Sequence, residues 1–350
     1  MTAPRYDIER TYDWNYVNAP DYPLEVEVPE CEGEWDFCGI PVNSPLGIPA
    51  GPLLNSRWIR YYAGLGFDVL TYKTVRSRFR HSYEPPNLLP VRAAALHGAG
   101  SELEADYEAD EFDSWAISFG MPSREPEVWR EDVERARRML GRGQVLSVSV
   151  VASPEPGWTL DQLADDFALC AEWAADAGAE AIEANFSCPN VCSQEADLYL
   201  SPGSSAAIAA AIRNRVSRLP LILKIGLFEN CEQAEALIAA VSPYADAIST
   251  TNSISARVRG EFDGLRRGIG GAAITSRCLA ELDMLAGIIR RRGSQLKLIG
   301  VGGVMNAHDV QNRLDAGAHN VQMGTAPMID PLVGLCVREQ VAMRQLAMAR

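Results

Sequence analysis

Along most of this 350-residue chain, short apolar runs alternate with longer amphipathic stretches. Eight runs have strand length and β-rich content: 46–50, 67–73, 145–151, 181–186, 221–225, 246–251, 297–301 and 320–323. Between them the spacing predicts helices over 124–141, 159–177, 203–217, 230–241, 275–292 and 306–317, with a closing helix over 332–348. Thr159 with Gln162, and Asn306 ahead of Asp309, supply the side chains that cap two of these helices. Strand-helix alternation of this kind builds a parallel sheet with right-handed crossovers. Eight units favour an α/β fold closed into a (β/α)8 TIM barrel over an open doubly wound sheet. No G-x-G-x-x-G follows the first run, which speaks against a dinucleotide-binding domain.

Two segments depart from the alternation. Residues 1–40 are polar, aromatic and acidic, and predict an N-terminal arm and short hairpin ahead of a barrel over 41–350. The interval of roughly 70 residues between Lys73 and Val145 is too long for one crossover, so 75–123 reads as an insertion covering the active face. Within it, the acidic run from Glu102 to Asp113 reads as a solvated loop.

Composition narrows the function. A formal charge of -14 repels nucleic acid and anionic membrane surfaces, leaving a small molecule as the expected partner. No run approaches the length of a spanning helix, and the first residues lack the order of a signal peptide, so a cytoplasmic protein is expected. The eight cysteines, at 31, 38, 170, 188, 192, 231, 278 and 336, include no C-x-x-C pair; they read as reduced thiols without a metal or iron-sulfur set. Of the 32 basic residues only Lys73, Lys224 and Lys297 are lysine, and lysine among so many arginines marks positions that need a compact ammonium. Lys73 and Lys224 stand at the downstream ends of their runs, where a barrel places its chemistry.

The other downstream ends are polar or glycine-rich as well. The fourth run ends in Asn185-Phe186-Ser187-Cys188-Pro189-Asn190, where the proline halts the strand and presents Cys188 between two amides. The sixth ends in Thr251-Asn252-Ser253, the seventh in Gly300-Val301-Gly302-Gly303 and the eighth in Gly324-Thr325. The last two fit a phosphate, because glycine lets backbone N–H groups approach its oxygens and a helix start adds partial positive charge. A phosphate site, two lysines and several asparagines point to a phosphorylated cofactor across the barrel mouth; FMN fits well, with Lys224 beside its pyrimidine edge. A Schiff-base lyase or isomerase using Lys73 or Lys224 is the alternative from the residues alone.

With Gly268-Ile269-Gly270-Gly271, Pro49-Ala50-Gly51 and Tyr72-Lys73-Thr74, these motifs resemble, in order and over about residues 40–330, the dihydroorotate dehydrogenase family. Cysteine at 188, rather than serine, is similar to the soluble class 1 enzymes. The resemblance implies an FMN enzyme that oxidises dihydroorotate or a related dihydropyrimidine, or runs in reverse, and that forms a homodimer. Cys188 would be the acid/base and Lys73 a second catalytic group. Ala50, Gly51, Lys73, Thr74, Asn185, Lys224, Gly270, Gly271, Gly302, Gly303, Gly324 and Thr325 would hold FMN. Lys73, Gly120, Met121, Asn185, Asn190, Asn252 and Ser253 would hold substrate. Fumarate, oxygen or a separate electron-transfer subunit all stand as acceptors. Two departures bear on substrate choice: Ile117 occupies a place where the family usually has Asn, and Val191-Cys192-Ser193 lacks the usual Pro-Gly. A different cyclic ene or dihydro compound is the alternative within the family.

Overall fold

The computed structural model describes residues 3–22, 24–93, 95–96, 101–105, 112–187, 197–260, 262 and 264–348. The chain opens with helix α1 (Tyr12–Val17) and an antiparallel hairpin of β1 (Trp35–Phe37) and β2 (Ile40–Val42). Then come β3 (Leu46–Ile48), α2 (Ser56–Ala63), β4 (Val69–Val75), β5 (Leu88–Pro90), β6 (Glu102–Glu104) and β7 (Ser114–Ile117). Next are α3 (Pro126–Met139), β8 (Val145–Val150), α4 (Leu160–Asp176), β9 (Ala181–Asn185), α5 (Pro202–Arg215) and β10 (Leu221–Lys224). They are followed by α6 (Cys231–Val241), β11 (Ala247–Thr250), β12 (Ile254–Arg259), β13 (Arg266–Gly271) and α7 (Thr275–Arg292). The chain closes with β14 (Lys297–Val301), α8 (Ala307–Asp315), β15 (Asn320–Gln322), α9 (Thr325–Ile329) and α10 (Val333–Met348).

The eight runs expected to be strands are the eight staves of a closed parallel barrel, in the order β3-β4-β8-β9-β10-β11-β14-β15, with β15 pairing back onto β3. Both faces of each stave are buried, because alternate residues point in and out. Leu70, Leu146, Ile182, Leu223, Ile248 and Leu298 join the main core with the surrounding helices. Their strand neighbours Val69, Val145, Ala181, Ile222, Ala247 and Ile299 form a separate cluster with Phe37 and Val42 of the hairpin. The hairpin thus plugs the floor of the barrel. Its two-residue turn uses Cys38 at φ 52° and Gly39 at φ 93°, the left-handed geometry that matches strand twist.

A second sheet, ordered β5-β7-β13-β12-β6, draws three strands from the segment after β4 and two from the segment after β11. The sequence reading did not anticipate it. Part of the expected acidic loop is β6, where Glu102 and Glu104 face solvent beside Arg259 and Leu103 turns inward. One alternating triplet is too short to stand out from an acidic run. The first crossover helix was also missed. α2 is capped by Asn55, whose side chain accepts from the N–H groups of Arg57 and Trp58, and its apolar residues fall at helical spacing, so the signal was present in the sequence.

The closing helix is tied to the barrel by a buried charge pair. Arg338 pairs with Asp68 and donates to Ser44 Oγ at 2.9 Å and to the Gly66 carbonyl at 2.7 Å. Burial pushes the Asp68 carboxyl upward against the opposing pull of Arg338, so desolvation offsets much of the attraction. The pair therefore acts mainly by leaving neither charge alone. Asp68→Ala is expected to lower unfolding free energy by about 3 kcal/mol, read by urea denaturation, because it strands a buried guanidinium. Adding Arg338→Met to Asp68→Ala should recover part of that loss.

Candidate active site

The downstream ends of the staves and the second sheet enclose a cavity of about 1080 Å³ including its open mouth. The predicted residues meet there. Ala50 and Gly51 follow β3, Lys73 and Thr74 end β4, Asn185 ends β9 and Lys224 ends β10; Asn252 and Ser253 follow β11. Gly270 and Gly271 of β13, Gly302 and Gly303 after β14, and Gly324 and Thr325 after β15 complete the wall. Lys73 and Lys224 are 8% and 5% exposed, and Lys224 forms no ion pair among the described residues. Lys297, at the upstream end of β14, instead pairs with Asp36 on the floor. The end of the strand on which a lysine sits therefore decides its part.

The amides are held by short-range bonds. Asn185 Oδ1 accepts from the Ser187 N–H at 3.2 Å, and its Nδ2 rests 3.6 Å from Met121 Sδ. Asn252 Nδ2 donates to the Ser187 carbonyl, and its Oδ1 accepts from the Ser253 N–H at 2.9 Å. Two strand ends are thereby stitched together at Ser187. The next residue, Cys188, lies outside the described residues, as does Asn190.

The glycines form a cradle that a side chain would fill. A Cβ on Gly303, at φ 67°, would lie 2.5 Å from the Thr275 backbone, and one on Gly302 would lie 2.8 Å from Cys278 Sγ. Burial pushes that thiol up to about 12, so it is an inert wall. The Lys224 ammonium, which forms no ion pair among the described residues, and the glycine turns line the same cavity, a combination that fits a flavin bearing a phosphate. Of the helices that follow the two glycine turns, α9 after β15 has only 5 residues, too few for a substantial macrodipole, whereas α8 after β14 has 9 and is capped by Asn306.

One expected residue falls elsewhere. Gly120 is not part of the cavity wall; its turn at φ 73° packs against the ring of Tyr83. Met121 does line the cavity, with Ile117, Phe119, Leu88 and Trp115, giving one side an apolar wall. The sequence reading missed Glu183, which is 2% exposed and lines the cavity. Its signal was present: it lies two residues before Asn185 on the same strand face. Among the described residues there is no cluster of metal-ligating side chains and no helix long and apolar enough to cross a membrane.

A family profile described as dihydroorotate dehydrogenase matches residues 125–342. A dihydroorotate dehydrogenase of Dictyostelium discoideum is 32% identical over 360 residues, covering 96% of each chain. The catalytic subunit of dihydroorotate dehydrogenase B (NAD(+)) from Desulforudis audaxviator is 26% identical over 303 residues, covering 84% of this chain and 86% of that one. Among solved structures, DHODH from Eimeria tenella in complex with ferulenol superposes with a TM-score of 0.77 at 17% identity, covering 96% of this chain and 90% of that chain. The ligand-free form gives 0.75 at 18%, covering 96% and 93%. At such identity these two bear on the fold alone.

Gly303→Val should leave the far-UV circular dichroism unchanged and weaken flavin retention about tenfold or more, because the new side chain meets Thr275 and strains the turn. Flavin content after purification reads the effect.

Proposed function

Since this chain belongs to the dihydroorotate dehydrogenase family, an oxidoreductase family acting on a CH–CH bond with flavin, we propose that it binds FMN across the barrel mouth and oxidises dihydroorotate with Cys188 as acid/base. The observation that carries this reading is the convergence of Lys73, Lys224, Asn185, Asn252 and the glycine turns of β14 and β15 on one cavity.

When bound, FMN supplies the hydride acceptor. The remaining work belongs to the side chains. Lys224, on the cavity wall, would offer its ammonium to the flavin's pyrimidine edge. Lys73, at the end of β4 three staves away, lines the same cavity and would serve both flavin and substrate. Asn185 and Asn252 present amide donors and acceptors to the flat polar ring of the substrate, with Ser253 beside them. Cys188 follows Ser187, whose carbonyl Asn252 already holds, and takes the proton from the substrate carbon adjacent to the one that loses hydride. That step needs thiolate character, which a lysine ammonium or a closed polar loop would supply.

Substrate grip differs from the family's at Ile117. An apolar side chain there leaves one polar edge of the ligand without a partner, so recognition falls more heavily on the two asparagines and on Lys73. The name of the Desulforudis relative, a catalytic subunit, supports a separate electron-transfer partner as one route for reoxidation.

The purified protein is expected to carry FMN, identified by absorbance and mass; absence of flavin together with no thermal shift on adding FMN would rule the cofactor out. Cys188→Ala should slow anaerobic flavin reduction by dihydroorotate by about 10²-fold or more with FMN content unchanged, and an unaltered rate would remove the thiol from the mechanism. Ile117→Asn should tighten orotate binding about fivefold, the worth of one hydrogen bond; no gain would favour a less polar cyclic substrate.

A further inference from the structure

Behind the glycine turn after β14 lies a buried charge that the mechanism above does not use. Arg313, on α8, is 1% exposed. Its Nη2 donates to the Gly302 carbonyl at 2.6 Å and to the Thr275 carbonyl at 3.4 Å, and its Nη1 donates to the Asp309 carbonyl at 3.2 Å. Every acceptor is a main-chain oxygen, and no carboxylate pairs with the guanidinium among the described residues. The carboxylate of Asp309, one turn earlier, is turned to the Met305 N–H at 2.9 Å. The buried Arg338, by contrast, has Asp68.

A guanidinium cannot shed its proton, and a charge removed from water without a counter-ion is costly. Its position suggests where the counter-ion comes from. In a trans peptide the carbonyl and the following N–H point in opposite directions. Fixing the Gly302 carbonyl on Arg313 therefore turns the Gly303 N–H the other way, and both glycines line the cavity. The next carbonyl is fixed as well, by Thr275 Oγ1 donating to Gly303 at 2.6 Å. The turn is thus clamped from behind, with a full positive charge one peptide away in a low-dielectric setting.

We propose that Arg313 is a positioning residue for the phosphate of the cofactor: it locks the Gly302-Gly303 turn with its N–H groups toward the anion and supplies the buried countercharge. The inference rests on the FMN reading above. It assigns a part to a residue that touches neither flavin nor substrate.

The test compares FMN with riboflavin, which differs only in lacking the phosphate. Full-length protein depleted of flavin is titrated with each, following flavin fluorescence. Wild type is expected to prefer FMN strongly. Arg313→Met should weaken FMN binding about tenfold or more while leaving riboflavin binding unchanged, since only the phosphate loses its countercharge and its oriented donor. Arg313→Lys, which keeps the charge and loses the planar fork, should fall between the two and covers the case in which the methionine variant misfolds. A substituted protein that keeps the full preference for FMN, or that loses affinity for both flavins equally, would overturn the inference. A wild type that binds the two flavins alike would instead overturn the FMN reading itself.

Discussion

Closing eight parallel strands on themselves buries both faces of every strand, and this constraint organises the molecule. The outward residues of each stave pack under helices, and the inward residues must fill a narrow interior. Near the floor the interior is dry: Val69, Val145, Ala181, Ile222, Ala247 and Ile299 meet the hairpin. Two to four residues further along the same strands, the inward positions become Lys73, Glu183, Asn185 and Lys224. Polar groups inside a barrel are tolerable only near an open end or against a ligand. The gradient from apolar to polar therefore fixes which end of the barrel can do chemistry.

The second sheet converts that open end into a cavity. β7 and β13 pair antiparallel, from Gly268 opposite Ile117 to Gly271 opposite Ser114, and stand beside the mouth. They bring glycine backbone to one part of the wall and Trp115 and Ile117 to another. One side of the site is thus charged and rich in amides, and the other is apolar. A flat ring system that must shed water before hydride transfer is suited by such a pairing. The same segments carry Ile117, so the part of the fold that is least like a plain barrel supplies the apolar wall of the cavity.

Charge placement follows a consistent logic. Buried arginines in this chain support structure: Arg338 anchors the closing helix to Asp68, and Arg313 braces a turn through carbonyl oxygens. The lysines are few and stand at strand ends, Lys73 and Lys224 at the cavity and Lys297 on the floor with Asp36. The planar fork of arginine suits fixed carbonyl and carboxylate partners, whereas the compact ammonium suits a group that must follow changing charge.

Periodicity alone located all eight staves and the main crossover helices, because a fully buried strand and an amphipathic helix each carry a local pattern that survives without tertiary context. Local chemistry likewise marked Lys73, Lys224, Asn185, Asn252 and the paired glycines, since each sits at the end of a readable run. Glu183 and α2 left signals that could have been used. What no stretch of sequence carried was partnership over distance. The sheet that joins β6 to β12 across more than a hundred residues, the turning of Gly120 onto Tyr83, and the seating of Arg313 behind Gly302 all depend on which segments meet after the barrel closes. Pairings of that kind are set by three-dimensional packing, and only the folded structure decided them.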